Sequence, residues 1–141
     1  MNTLKEFMER DAFVKHCGIE LVSFAPGHAV TRMTVQPWHI NAVGIVQGGA
    51  IFTLADYAFA VASNAHGTVA VGINVSITYM KSAKTGVLTA AAREVALNPK
   101  LASYTVEVTD ETGGLLAVFQ GLVYRKQQII GDAPGKQPDR P

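Results

Sequence analysis

The sequence predicts an α+β fold in which a curved antiparallel sheet of five or six strands wraps one long central helix, with a short helix at the N-terminus. Three observations predict it. Residues 45–65 form a single Ala-rich apolar segment, too long for a strand and made of helix formers. The segments after it have strand length and strand alternation and are separated by short turn signals. Helices and strands do not alternate along the chain, which excludes a doubly wound parallel sheet. A helix that is apolar almost all round needs cover on more than one side, and a strongly curved sheet supplies it.

The elements follow in order. Thr3 and Glu6 have the spacing of a capping box, which starts a helix running to about His16, with Gly18 to end it. "IELVSFAPGHAVTRMTV" reads as two strands joined by a tight turn at Pro26-Gly27. Pro37 breaks the second strand, and "QPWHINAVG" is an irregular linker. The central helix is expected from Gln47 to Ala65, with Gly67 as its C-terminal cap. Val69 to Met80 then alternates, with Val71, Ile73, Val75, Ile77 and Tyr79 on one face and Gly72, Asn74, Ser76 and Thr78 on the other. Strands over Val87–Leu97, Leu101–Val108 and Leu115–Tyr124 complete a meander, with turns at "NPK" and "DETGG". The domain is assigned to residues 1–126. The stretch 127–141, ending in a Pro-, Gly- and charge-rich segment, is expected to be a disordered tail.

Bulk properties narrow the function. A chain of 141 residues is the length of one domain and can bury a real core. A net charge of +1 argues against a general nucleic-acid binder, which needs a basic surplus. One cysteine, Cys17, permits no internal disulfide, and a cytoplasmic protein is the natural reading. The first residues carry no signal peptide pattern. The apolar segment is not read as a membrane span, because it is Ala-rich, lacks flanking basic clusters and has an acid at its middle. The four His residues are scattered and imply no metal site.

That acid is Asp56, the one carboxylate in the most hydrophobic part of the chain. Burying an unpaired carboxylate is costly, so it is either paired or functional. His39, His66 and Arg93 are its distant candidate partners. At the head of the same helix stand Gly48 and Gly49. The first N–H groups of a helix lack internal partners and carry the positive dipole end, and glycine leaves them open to a ligand carbonyl. The same glycines also suit a tight entry into the helix. Asn41 reads either as a turn residue or as a side-chain amide near that entry.

"HINAVGIVQGGAIFTLADYAFAVASN" and "ITYMKSAKTG" resemble the hotdog-fold acyl-CoA thioesterases, in the phenylacetate-degradation (PaaI) branch, over about residues 10–126. The resemblance implies a hotdog fold and thioester hydrolysis with no cofactor, the coenzyme A thioester being the substrate. It implies Asp56 as the catalytic acid, Gly48 as the N–H donor and Asn41 as a helping amide. Asp56 then attacks the carbonyl or activates water, and both routes stay open. Two positions depart from the family. Its usual His before the glycine pair is Gln47, which hydrogen-bonds but does not titrate near neutrality. A hydroxyl that some relatives carry on the following strand is replaced by Gly72, with Asn74 and Ser76 nearby.

Eight residues of helix separate Gly48 from Asp56 by about 12 Å, so one chain cannot bring both to one carbonyl. The expectation is a homodimer with two interface sites, and by resemblance a tetramer built as a dimer of dimers. Lys81 and Lys84 are the candidates for coenzyme A phosphates, in a stretch where Lys81, Lys84, Arg93 and Lys100 face one acid, Glu94. Phe52, Tyr57 and Phe59, with Trp38, are candidates for the acyl pocket, and a phenylacetyl-like or medium-chain group is expected there. The alternatives are a non-hydrolytic acyl-CoA sensor or carrier and a hotdog hydratase. There is no Gly-x-Ser-x-Gly elbow, paired-His metal motif or dinucleotide fingerprint.

Overall fold

The computed structural model of the chain describes residues 2–131. Two short helices come first, α1 (Asn2–Met8) and α2 (Ala12–His16). Strands β1 (Ile19–Ala25) and β2 (His28–Thr34) form a hairpin, and a 3-10 turn over Pro37–His39 leads into helix α3 (Gly48–Asn64). Strands β3 (Thr68–Tyr79), β4 (Val87–Leu97), β5 (Leu101–Thr109) and β6 (Leu115–Ile129) follow. All pairings are antiparallel, in the order β1-β2-β4-β5-β6-β3, so the expected meander holds only for β4-β5-β6: the 80–86 connection crosses over to place β4 beside β2, and β3 pairs with β6 instead. Helix α3 touches every strand, as expected of a sheet curved around it.

Three local expectations are corrected. The N-terminal helix is two helices, not one, and Thr3 lies inside α1 rather than capping it. The Asp11 carboxylate accepts the Val14 N–H at 3.1 Å and starts a second helix. The break lets Leu4, Met8 and Val14 all reach the core. The expected tail from residue 127 is also corrected at its start. Strand β6 continues to Ile129, paired with Thr68, and the buried Ile130 donates its N–H to the Gly67 carbonyl at 3.0 Å. Ile130 supplies an anchor that the composition of the segment conceals, while Ile129 stays exposed. Residues 132–141 lie outside the described residues.

The third correction concerns β3. A register shift between Gly72 and Asn74 breaks the alternation. Before it, Gly72 pairs with the inward-facing Val123; after it, Val75, Ile77 and Tyr79 pair with Gly121, Phe119 and Ala117, also inward. Asn74 and Ser76 therefore stand on the outer face, opposite to Gly72. One extra residue moves every later side chain to the other face. Strand β3 is an edge of the sheet, and Val71, Ile73, Val75 and Tyr79 are exposed on it. Such an apolar edge is open to pairing with another chain.

Glycines shape the core beneath β3 and β6. The Phe59 ring packs against Tyr104 and Phe119 at centroid distances of 5.6 and 5.4 Å. A Cβ at Gly121 would stand 2.6–3.0 Å from three atoms of that ring, and one at Gly72 would stand 3.0 Å from it. Phe59 is fixed on all sides and cannot yield. Gly121→Ala is expected to cost about 1–3 kcal/mol by overpacking. A fall of several degrees in the melting temperature checks it, and an unchanged melt contradicts it.

Candidate active site

The site begins at the head of α3. Gln47 is the N-cap residue, and its own N–H donates to the His39 carbonyl at 2.8 Å. The Gln47 carbonyl accepts the N–H groups of Ala50 and Ile51. No side chain caps the helix, and the Gly48 and Gly49 N–H groups have no acceptor among the described residues. Two adjacent bare donors at a positive dipole end form a ready site for a developing oxyanion. The Gln47 side chain lies over Gly49, where a Cβ would come 2.8 Å from its Oε1.

The loop before the helix is held by its own polar groups. The Asn41 Oδ1 accepts the N–H groups of Val43 and Ile45 at 3.1 and 3.2 Å, so its turn role is real. Only its Nδ2 remains to donate outward. His39 is buried, with Nδ1 accepting the Gln36 N–H and Nε2 bonded to the Cys17 carbonyl at 2.8 Å. That pair of bonds requires the neutral Nε2–H tautomer and occupies both ring nitrogens. His39 is therefore not a partner of Asp56.

Neither is His66, whose ring binds Glu94 at 2.7 Å while the Tyr104 hydroxyl donates to the same oxygen at 2.9 Å. Burial pushes the Glu94 carboxyl up, but these two bonds, together with the charge interactions of His66 and Arg125, hold it below its ordinary value. Arg93 is exposed on β4, across from His28 and Thr105.

Asp56 has no hydrogen bond or ion pair among the described residues and is half-buried. Burial first, and the Asp11 carboxylate second, raise its pKa above the ordinary value. It lies on a stripe of α3 that the sheet leaves open: Gly49, Phe52, Thr53, Asp56 and Ala60 are only partly covered or exposed, at helical spacing. The rest of the helix from Leu54 onward is buried.

A cleft of about 520 Å³ opens beside Gly49, lined by the exposed rings of Phe13 and Trp38 and by Ala50 and Thr53. Of the aromatics expected to line a pocket, Tyr57 and Phe59 are core residues instead. Tyr57 donates its hydroxyl to the Met8 carbonyl at 3.3 Å, and its pKa is pushed up to about 12 by burial and by Asp11. Phe52 stays partly open and rests edge-on against Phe119. Phe13 was not legible as a site residue. Its signal is an exposed aromatic next to the buried Val14 on a very short helix.

Lys81 already has a carboxylate partner, though its side chain stays exposed. It pairs with Asp110 at 2.9 Å, across the turn between β5 and β6. The Thr112 hydroxyl, Lys81 and the Gly114 N–H hold the Asp110 carboxyl well below the usual carboxylate range. Lys84 is exposed and has no ion pair among the described residues. Its neighbour Ala83 accepts the Val46 N–H at 2.8 Å, which ties the Lys84 loop to the entry of α3. Tyr79, at the end of β3, donates its hydroxyl to the Gly48 carbonyl at 2.7 Å.

No helix among the described residues is long and apolar enough to cross a membrane, and no three His, Cys, Asp or Glu residues among them cluster as metal ligands.

The sequence pattern of the thioesterase superfamily matches residues 43–117, from the loop before α3 into β6. A putative esterase of Archaeoglobus fulgidus is 43% identical over 124 residues, covering 86% of this chain and 80% of its own. The acyl-coenzyme A thioesterase PaaI of Escherichia coli is 34% identical over 118 residues, covering 83% of this chain and 84% of its own. The solved structure of the E. coli PaaI protein superposes with a TM-score of 0.87 at 31% identity, over 91% of this chain and 94% of that one. The match spans the bare helix start and the lone acid, and the architecture is the hotdog fold. The chain belongs to the thioesterase superfamily.

Proposed function

We propose that the protein hydrolyses acyl-CoA thioesters as a homodimer, with each site built from the helix start of one subunit and Asp56 of the other. The observation that carries this reading is the unpartnered, half-buried Asp56 on the open stripe of α3. Eight helical residues keep it about 12 Å from the bare N–H of Gly48 in its own chain. A two-fold axis that runs two α3 helices antiparallel brings the two together. The apolar edge of β3 supports such pairing, because two copies would bury it.

In this reading the thioester oxygen sits on the helix-start donors, and Asn41 helps through Nδ2. Asp56 either attacks the carbonyl carbon, expelling the coenzyme A thiolate and leaving a mixed anhydride that water hydrolyses, or takes a proton from the attacking water, after which the C–S bond breaks and the thiolate leaves with that proton. Its raised pKa makes it a better base than an exposed carboxylate. Gln47 orients the site without moving a proton. The acyl group enters the cleft between Phe13 and Trp38, whose rings suit an aryl group such as phenylacetyl. Lys84 receives a coenzyme A phosphate on the opposite flank.

The test is thiol release from aryl and straight-chain acyl-CoAs, with sedimentation to give the assembly. Turnover with aryl preference by a dimer or tetramer is the expected result. An active monomer overturns the shared site, and tight binding without turnover favours the carrier alternative, for which Gln47 speaks. The pH profile adds a check. Asp56 must be ionised to act, so the acid limb of kcat/KM lies above the ordinary carboxylate value of about 4. Asp11→Asn keeps a capping side chain but removes its charge, and is expected to move that limb to lower pH.

A further inference from the structure

We infer that Tyr79 is a positioning residue for hydrolysis, acting through the Gly48–Gly49 peptide to aim and strengthen a second oxyanion donor, the Gly49 N–H. The inference rests on the hydrolytic reading above and adds to it the residue that sets one of its two donors. The Gly48 carbonyl and the Gly49 N–H belong to one rigid, planar peptide unit and point in opposite directions. The Tyr79 hydroxyl holds the carbonyl end of that unit at 2.7 Å. A peptide whose oxygen accepts a hydrogen bond gives a stronger N–H donor, because the two polarise together.

The surroundings show a fixed contact. Tyr79 is partly exposed at the end of β3, on the strand face that carries its partner Ala117, and the next residue, Met80, donates to the Leu116 carbonyl at 2.7 Å. The hydroxyl lies where a side chain at residue 48 would begin, since a Cβ there would be 2.9 Å from the Tyr79 oxygen. Gly48 is thus required by the tyrosine as well as by the substrate. Burial raises the Tyr79 pKa, which keeps the hydroxyl protonated as a donor. On the other side of the peptide, Gly49 borders the cleft. A carbonyl seated over the helix start would meet Gly48 N–H and Gly49 N–H together, which one donor alone does not offer.

Tyr79→Phe keeps the ring and removes only the hydroxyl. The expected result is a fall of about 5- to 30-fold in kcat, smaller than the loss of a direct oxyanion donor, with KM changed less than twofold. The melting temperature and assembly should stay near wild type, and the Gly49 amide proton resonance should move upfield. Incorporation of 3-fluorotyrosine at 79, a stronger donor, should keep kcat at or above wild type at a pH where its hydroxyl is protonated. An unchanged kcat, an unmoved Gly49 resonance, or a loss that tracks dissociation of subunits overturns the inference. Failure of the hydrolytic reading is distinct, because wild type would then release no thiol before any variant is compared, while the amide shift would still report whether Tyr79 holds the peptide.

Discussion

Asp56→Asn is expected to lower kcat by about 1,000-fold while the protein stays folded and assembled. Asn has the same shape but neither attacks a carbonyl as a carboxylate does nor accepts a proton from water. The stability change should run the other way. Burial raises the folded-state pKa of Asp56, so folding favours its protonated form. The ionised group therefore costs stability above that pKa, and the cost disappears below the unfolded value. At neutral pH the neutral Asn avoids it, and the melting temperature should hold or rise. Loss of activity with gain of stability is the signature of a carboxylate kept for chemistry rather than for packing. A variant that melts lower and retains turnover would assign Asp56 a structural role instead. Thiol-release kinetics and a thermal melt on the same preparation decide between them.

The second large effect is expected at the helix start. Gly48→Ala places a Cβ 2.9 Å from the Tyr79 oxygen and 3.0 Å from the ring carbon that bears it. The ring is tied to β3 and cannot step aside without giving up its bond to the Gly48 carbonyl. Either the tyrosine moves or the head of the helix moves, and both disturb the donors. A loss on the order of 100-fold in kcat is the expected result, close to that of removing one oxyanion donor. Turnover within threefold of wild type would show that the close approach at Gly48 is incidental.

The central helix was legible in the sequence to within a residue at each end, because glycines punctuate it and no β-branched run interrupts it. The β4-β5-β6 meander followed from turn residues at "NPK" and "DETGG", but the place of β3 did not, because the 80–86 connection is a crossover that carries the chain to β2 and leaves β3 paired with β6. The errors lie where local preference met a competitor that the sequence does not rank. Thr3 and Asp11 are both capping residues, and only the packing of Leu4, Met8 and Val14 shows that Asp11 acts as one. Strand β3 alternates cleanly on paper, yet one bulge at Ile73 reverses its faces and separates Gly72 from Asn74 and Ser76.

The site divides in the same way. Asp56 stood out because a lone carboxylate is the wrong residue for its surroundings, whereas Gly48 and Asn41 also fit a plain helix entry and turn and were singled out by the family resemblance. Tyr79 and Phe13 did not stand out, because their contacts come from distant parts of the chain. Lys81 resembled a free cation until Asp110, 29 residues on, was brought beside it. Tyr57 and Phe59 showed no sign of which side of α3 they occupy, since that helix is apolar on nearly every side.

The shared site is the central claim, and mixing two dead subunits tests it most directly. Asp56→Asn chains retain an intact helix start, and Gly48→Ala chains retain an intact acid. If each site takes one element from each subunit, a mixed dimer holds one complete site and one doubly damaged site. Random re-pairing makes half of the dimers mixed, so activity should recover to about one quarter of wild type. If both elements act within one chain, every site in the mixture stays damaged, and thiol release no higher than the sum of the two separate variants would contradict the account.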